Sequence, residues 1–102
     1  MINKVMQDAM NDQINKELYS SYLYLSMAAY FEDGNLPGFA HWMRIQEAEE
    51  REHAMKLYDF ILERGGKVVL KAIDAPKTEW TSTLEVAEEV AAHEAKVTAS
   101  IY

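Results

Sequence analysis

Between Asn3 and Glu32 the chain contains neither glycine nor proline, the two residues that most readily interrupt a helix. Over that stretch Met10, Ile14, Glu17, Ser21, Tyr24, Ala28 and Phe31 recur at spacings of three and four. This is the period that lines one face of an α-helix. A helix over 3–32 is therefore expected. Asp33-Gly34-Asn35 reads as a short turn, with Gly34 suited to a left-handed cap and Asn35 able to cap the next helix.

A second helix is expected over 36–64. Pro37 is tolerated in its first turn, and Gly65-Gly66 ends it. Its stripe reads Phe39, Met43, Gln46, Glu50, His53, Leu57 and Phe60, while Glu47 with Arg51 and Glu52 with Lys56 can pair at i,i+4 on the other face. So short a turn between two such helices makes them antiparallel neighbours. Residues 67–81 carry Pro76 and an extended Val68-Val69-Leu70 and read as a loop. A helix over 36–64 is about 44 Å long, and fifteen extended residues reach roughly 50 Å. The loop is thus long enough to cross back to the starting end, which sets a third helix, over 82–102, parallel to the second. Ser82 and Glu85 form a capping box for it. Its expected stripe is Leu84, Ala87, Val90, Ala91, Glu94, Val97 and Ile101. Nothing in Ala99-Ser100-Ile101-Tyr102 signals a helix end, so this helix reads as cut in mid-course. The expected class is all-α: an antiparallel helical bundle with one long crossover loop.

Composition removes several functions. With 102 residues the chain is one small domain, and 49% hydrophobic residues are enough for a packed core. The net charge of −7, without a basic patch, argues against nucleic acid as a partner. The absence of cysteine excludes disulfide scaffolds, cysteine zinc sites and iron–sulfur clusters. No stretch has the roughly 20 apolar residues that span a bilayer, and Met1 to Gln13 has no apolar signal core. No membrane partner and a cytoplasmic location are expected.

Against that apolar background three carboxylates stand out. Glu17, Glu50 and Glu94 each lie on the inward stripe of a different helix, with no Lys or Arg on those stripes to pair with them. Burying an ionised carboxylate costs several kcal/mol unless a partner or a metal compensates it. Glu50-x-x-His53 puts a carboxylate and an imidazole on adjacent turns of one face, where a single metal can take both. Carboxylates with one or two imidazoles and no sulfur suit iron or manganese, and also zinc. His41 lies off this stripe, and His93 points about 100° away from Glu94 around the helix. Both are expected to be ordinary histidines.

The segment Asn11-Asp12-Gln13-Ile14-Asn15-Lys16-Glu17-Leu18-Tyr19-Ser20-Ser21, with Tyr22-Leu23-Tyr24, resembles the first helix of the bacterial and archaeal non-haem ferritins. So do Gly38-Phe39-Ala40-His41-Trp42-Met43, Glu49-Glu50-Arg51-Glu52-His53-Ala54 and Glu63-Arg64-Gly65-Gly66 in the second. The pairing of Glu with Glu-x-x-His in the core of a bundle is a known feature of that family. The resemblance implies a ferritin-like fold whose fourth helix is missing from this chain. It implies iron storage with ferroxidase activity: Fe(II) oxidised by dioxygen at a carboxylate-bridged di-iron centre, then stored as ferric mineral. Residue by residue, Glu17 and His53 would hold the first iron, Glu50 would bridge and Glu94 would hold the second. Glu49 resembles a ligand of a neighbouring iron position, and Tyr24 resembles a tyrosine beside the centre that takes part in electron transfer. Glu52 stands where the bacterioferritins carry a haem-binding methionine, so no haem is expected. The family assembles as homo-oligomers, cages of twenty-four subunits.

Two other readings compete. The chain could be a truncated, catalytically silent fragment that self-associates, including a dimer in which each copy supplies Glu17, Glu50 and His53 to a symmetric metal site. A peroxidase of the rubrerythrin kind is disfavoured by the missing cysteines.

Overall fold

In a computed structural model of the chain, residues 2–101 are described, with side chains described through residue 96. Three helices and no strand are present among them: α1 (Lys4–Asp33), α2 (Pro37–Glu63) and α3 (Thr83–Ile101). The molecule is a rod of 49 × 20 × 20 Å, its long axis set by the length of α1. The expected bundle members Val97 and Ile101, and the chain end at Tyr102, lie outside the described side chains.

Asn3 caps α1 by accepting from Met6 N at 2.8 Å. At the far end, Leu36 N donates to Phe31 O at 2.8 Å and Asn35 N to Glu32 O at 3.1 Å, the paired bonds of a Schellman cap. The left-handed residue in it is Asn35, with φ 59°, while Gly34 has φ −83°. That corrects the sequence expectation for Gly34. Asparagine adopts this conformation more readily than other side-chain-bearing residues, and the two hydrogen bonds hold it there. Asn35 consequently does not cap α2, whose N-cap is Leu36 with no side-chain bond. The end of α2 repeats the motif with Gly65 at φ 72° and Gly66 N bonded to Ile61 O at 2.8 Å. Gly66 itself has no room for a side chain: a Cβ there would lie 2.7–2.9 Å from Ile2, Gln7 and Ile61.

α1 and α2 run antiparallel. Phe31 at the end of α1 packs with Ala40 and Met43 at the start of α2, and Ile14 packs with Ala54 and Ile61 at the opposite end. Residues 67–81 then return along α1. The side-chain amides of Gln7, Asn11 and Asn15, one turn apart on one helix face, take over the hydrogen bonding of this segment. Gln7 Oε1 accepts from Lys67 N, Asn11 bonds both Lys67 O and Val69 N, and Asn15 Oδ1 accepts from Lys71 N, at 2.9–3.3 Å. Farther up, Ser26 Oγ donates to Lys77 O at 2.7 Å, and Trp80 packs edge-on to Tyr30. The loop thus delivers the chain to the end where α2 began, and α3 runs parallel to α2. Ser82 Oγ accepts from Glu85 N at 3.1 Å, while the Glu85 carboxylate turns to Thr81. The capping residue is therefore the expected one, but the reciprocal arm of the box reaches one residue earlier.

α2 and α3 both pack on α1, and among the described residues their backbones do not approach one another. This corrects two expected stripes. Phe39 is exposed, although it stacks on Phe31. On α3 the residues facing α1 are Val86 and Val90, both buried, whereas Leu84 is 67% exposed and Ala87 and Ala91 are exposed too. Of the expected stripe, Val90 and Glu94 meet α1, Glu94 through the Tyr24 hydroxyl, while Leu84, Ala87 and Ala91 lie to the exposed side.

Candidate metal centre

Glu17 is 1% exposed and Glu50 5%, and each is delivered by a helix that is apolar one or two turns to either side. Ile14 and Tyr24 bracket Glu17, and Met43 and Ala54 bracket Glu50. The antiparallel packing of α1 on α2 puts the two carboxylates at one level, between the Ile14–Ala54–Ile61 cluster and the larger cluster around Tyr24, Met27 and Met43. Gln13 Nε2 donates to Glu17 Oε1 at 3.0 Å, which fixes the rotation of that carboxylate. Glu17 Oε2 and Glu50 Oε2 are buried and accept no hydrogen bond among the described residues. His53 Nδ1 lies 3.8 Å from the first and 3.7 Å from the second. Ligand atoms of Glu17, Glu50 and His53 all fall within 4.8 Å of one another.

Two buried carboxyl groups with unsatisfied oxygens cannot both ionise cheaply. The Glu50 carboxyl is accordingly pushed up to about 9: burial is the main cause, followed by the adjoining Glu17 carboxyl and then Glu94. Every one of these influences favours the neutral form. A divalent cation seated between the two Oε2 atoms reverses that balance, because it supplies the missing positive charge and the missing coordination together. The donor set of two carboxylates and one imidazole, without sulfur, is one that hard or borderline ions such as iron, manganese and zinc accept. By this test the residues fit a metal.

The other expected residues stand differently. His53 does not have the buried environment its stripe suggested: its side chain is 55% exposed, because α3 packs on α1 and leaves that side of α2 open. Glu49 is exposed and does not join the cluster, being one residue, or 100°, around the helix from Glu50. Glu94 is half-buried and also stands apart from the converging trio. Its Oε1 accepts from the Tyr24 hydroxyl at 2.5 Å, so the phenol takes the carboxylate's direction. It remains close enough to act on Glu50. Tyr24 is fully buried, and burial, then the bond to Glu94 and the surrounding carboxylates, hold its hydroxyl strongly in the neutral form. His41 is exposed on α2.

Sequence reasoning assigned no role to Gln13 or Ser20, and took His93 as an ordinary histidine. Gln13 is one turn before Glu17, and that i,i+4 spacing was a usable signal. Ser20 and His93 meet across α1 and α3, with Ser20 Oγ 2.7 Å from His93 Nε2. Burial lowers the His93 pKa. No spacing within one helix reveals a contact between residues 73 positions apart.

The chain and its fold are similar to known proteins. The ferritin-like domain family's sequence profile matches residues 7–102. A bacterial non-haem ferritin of Bacteroides fragilis is 47% identical over 97 residues, which cover 95% of this chain and 61% of that protein. One from Staphylococcus saprophyticus is 44% identical over 102 residues, covering 100% and 61%. A ferritin of Archaeoglobus fulgidus, engineered to a closed form, superimposes with a TM-score of 0.96 at 52% identity, covering 99% of this chain and 62% of that one. The chain spans about three fifths of the length of these relatives. It belongs to the ferritin-like domain family, and its relatives there are the non-haem ferritins of bacteria and the ferritins of archaea.

Proposed function

We propose that this chain is an iron-storage subunit that takes up Fe(II) at Glu17, Glu50 and His53 and oxidises it with dioxygen. The observation that carries the reading is the pair of buried, donor-less oxygens, Glu17 Oε2 and Glu50 Oε2, facing His53 Nδ1 within 4 Å. The family supports iron as the ion. Two Fe(II) ions held side by side supply two electrons to dioxygen and are stored as ferric mineral.

The chain's own contribution is binding and orientation. Gln13 holds Glu17 so that Oε2 faces Glu50. The neutral Glu50 carboxyl gives up its proton on metal uptake, so binding releases a proton and weakens as the solution becomes more acidic. Glu50, whose carboxyl is influenced by both Glu17 and Glu94, would bridge. Glu94 would serve the second iron, releasing the Tyr24 hydroxyl or sharing its carboxylate with it. Glu49, exposed at the same turn, would serve a neighbouring position on the way in. Tyr24, neutral and buried beside the carboxylates, is the group through which an electron or a proton could pass to the site. The assembly is a homo-oligomer, as in the full-length family.

Glu50→Ala tests the reading by stopped-flow oxidation of Fe(II) in air. Loss of the rapid phase is expected, with the helical content retained. An unchanged rate in the folded variant contradicts the site.

A further inference from the structure

α3 reaches α1 with two kinds of contact. Near its start, Val86 and Val90 enter the apolar cluster with Leu23, Tyr24 and Met27. One turn later the contact becomes polar: Ser20 Oγ lies 2.7 Å from His93 Nε2, and Tyr24 donates to Glu94 at 2.5 Å. Ser20 is fully buried. Its single hydroxyl proton is given to Lys16 O at 3.0 Å, one turn back on α1. With that proton engaged, Ser20 Oγ is an acceptor, which matches the His93 tautomer that carries its proton on Nε2. The His93 ring is also held by two tyrosines of α1, tilted against Tyr19 at 6.1 Å and edge-on to Tyr24 at 5.8 Å. Three α1 residues, Tyr19, Ser20 and Tyr24, thus hold one α3 side chain.

That side chain is the neighbour of Glu94. Consecutive side chains on a helix are 100° apart, so the angle at which His93 meets α1 sets the direction in which Glu94 leaves α3. A carboxylate stands roughly 5–6 Å from the helix axis, and a 20° turn of the helix moves it by about 2 Å. That is the difference between reaching a metal beside Glu50 and missing it. We infer that His93, docked on Ser20, is a positioning residue: it sets the rotation of α3 and thereby where the Glu94 carboxylate stands relative to Glu50 and Tyr24. The inference rests on the proposed metal-binding role of the carboxylate cluster. The apolar contact of Val86 and Val90 has no direction of its own, so the Ser20–His93 hydrogen bond, together with that of Tyr24 to Glu94, sets the rotation.

Anaerobic titration with Co(II), followed by its visible absorption and by calorimetry, separates the possibilities on the full chain. Circular dichroism checks that each variant is folded. Glu50→Gln should abolish tight binding, and Glu94→Gln should weaken the overall affinity on the order of 10-fold. His93→Leu and Ser20→Ala should each reproduce most of the Glu94→Gln loss. His93→Leu combined with Glu94→Gln should add little further, since both act through one carboxylate. His93→Gln, which keeps an N–H donor near the place of Nε2, should stay within about twofold of the parent chain. Parent-like affinity in His93→Leu and Ser20→Ala overturns the inference, as do fully additive losses or a failed rescue by His93→Gln. If Glu94→Gln has no effect while Glu50→Gln does, the positioning role falls and the site at Glu17, Glu50 and His53 survives. If Glu50→Gln has no effect, the metal-binding reading itself falls.

Discussion

The contact of α1 with α2 and the contact of α1 with α3 are built on different principles. Along α2 the burial is continuous: Ile14, Met27, Met43 and Ile61 are fully buried, and the interface extends from the Phe31 end of α1 to its opposite end. Along α3 the described apolar contact is Val86 and Val90, preceded by Trp80 of the loop, and a polar latch of Ser20, His93, Tyr24 and Glu94 continues it. Apolar burial sets the distance between helices but is non-directional. Hydrogen bonds set rotation and register. Glu17 and Glu50 sit on the deep contact and converge; Glu94 sits on the shallow one and is held to a tyrosine instead. Glu17 and Glu50 therefore lie on the contact that is packed more deeply, and Glu94 on the one that is not.

Several measurements sharpen or break this contrast. The largest effect is expected in the deep contact, where Ile61→Ala removes a fully buried side chain and should cost about 2–5 kcal/mol by chemical denaturation. A loss under about 1 kcal/mol would show that this end of α1 and α2 is loosely packed. Next comes the pH dependence of the metal-free protein. Because Glu50 is raised to about 9 from 4.5, the folded state keeps a proton that the unfolded state has already lost between those values. Stability from this group is thus full below about pH 4.5 and falls as pH rises toward 9. Glu50→Gln should flatten that decline, leaving the metal-free variant more stable than the parent by about 2 kcal/mol near pH 9. A parent chain whose stability rises through that window would contradict the environment assigned to Glu50.

On the shallow contact, Val90→Ala removes less surface and should cost about 1.5 kcal/mol, with faster amide exchange in α3 than in α1 or α2. Uniform exchange in all three helices would erase the distinction between the contacts. The smallest change is Ser82→Ala, which takes away the hydroxyl that accepts from Glu85 N and should cost about 1 kcal/mol, again read in the exchange of α3.

The unequal contacts also explain what could be read from the sequence. The three helices were legible because glycine, proline and the period of 3.6 are local signals, and so was Glu50-x-x-His53. The convergence of Glu17 on Glu50 could be read because a three-residue turn leaves two long helices only one way to pack. α3 was harder. The expected stripe of Leu84, Ala87, Val90, Ala91 and Glu94 and a neighbouring one of Val86, Val90 and His93 both satisfy the period. Which one faces α1 is decided by where the loop sets the helix down, through Asn11, Ser26 and Trp80, and no pattern inside α3 encodes that. The Schellman cap at Asn35 was missed for a related reason: glycine is the commoner left-handed residue, but the hydrogen bonds of Leu36 and Asn35 choose the position.

The central claim, that Glu17, Glu50 and His53 hold iron, is most directly tested by anomalous diffraction at the iron edge from crystals grown with Fe(II) under anaerobic conditions. The account predicts a peak among Glu17 Oε2, Glu50 Oε2 and His53 Nδ1, and its disappearance in Glu50→Ala. Iron found only on exposed carboxylates such as Glu49 or Glu52, with those two buried oxygens left uncoordinated, would contradict it.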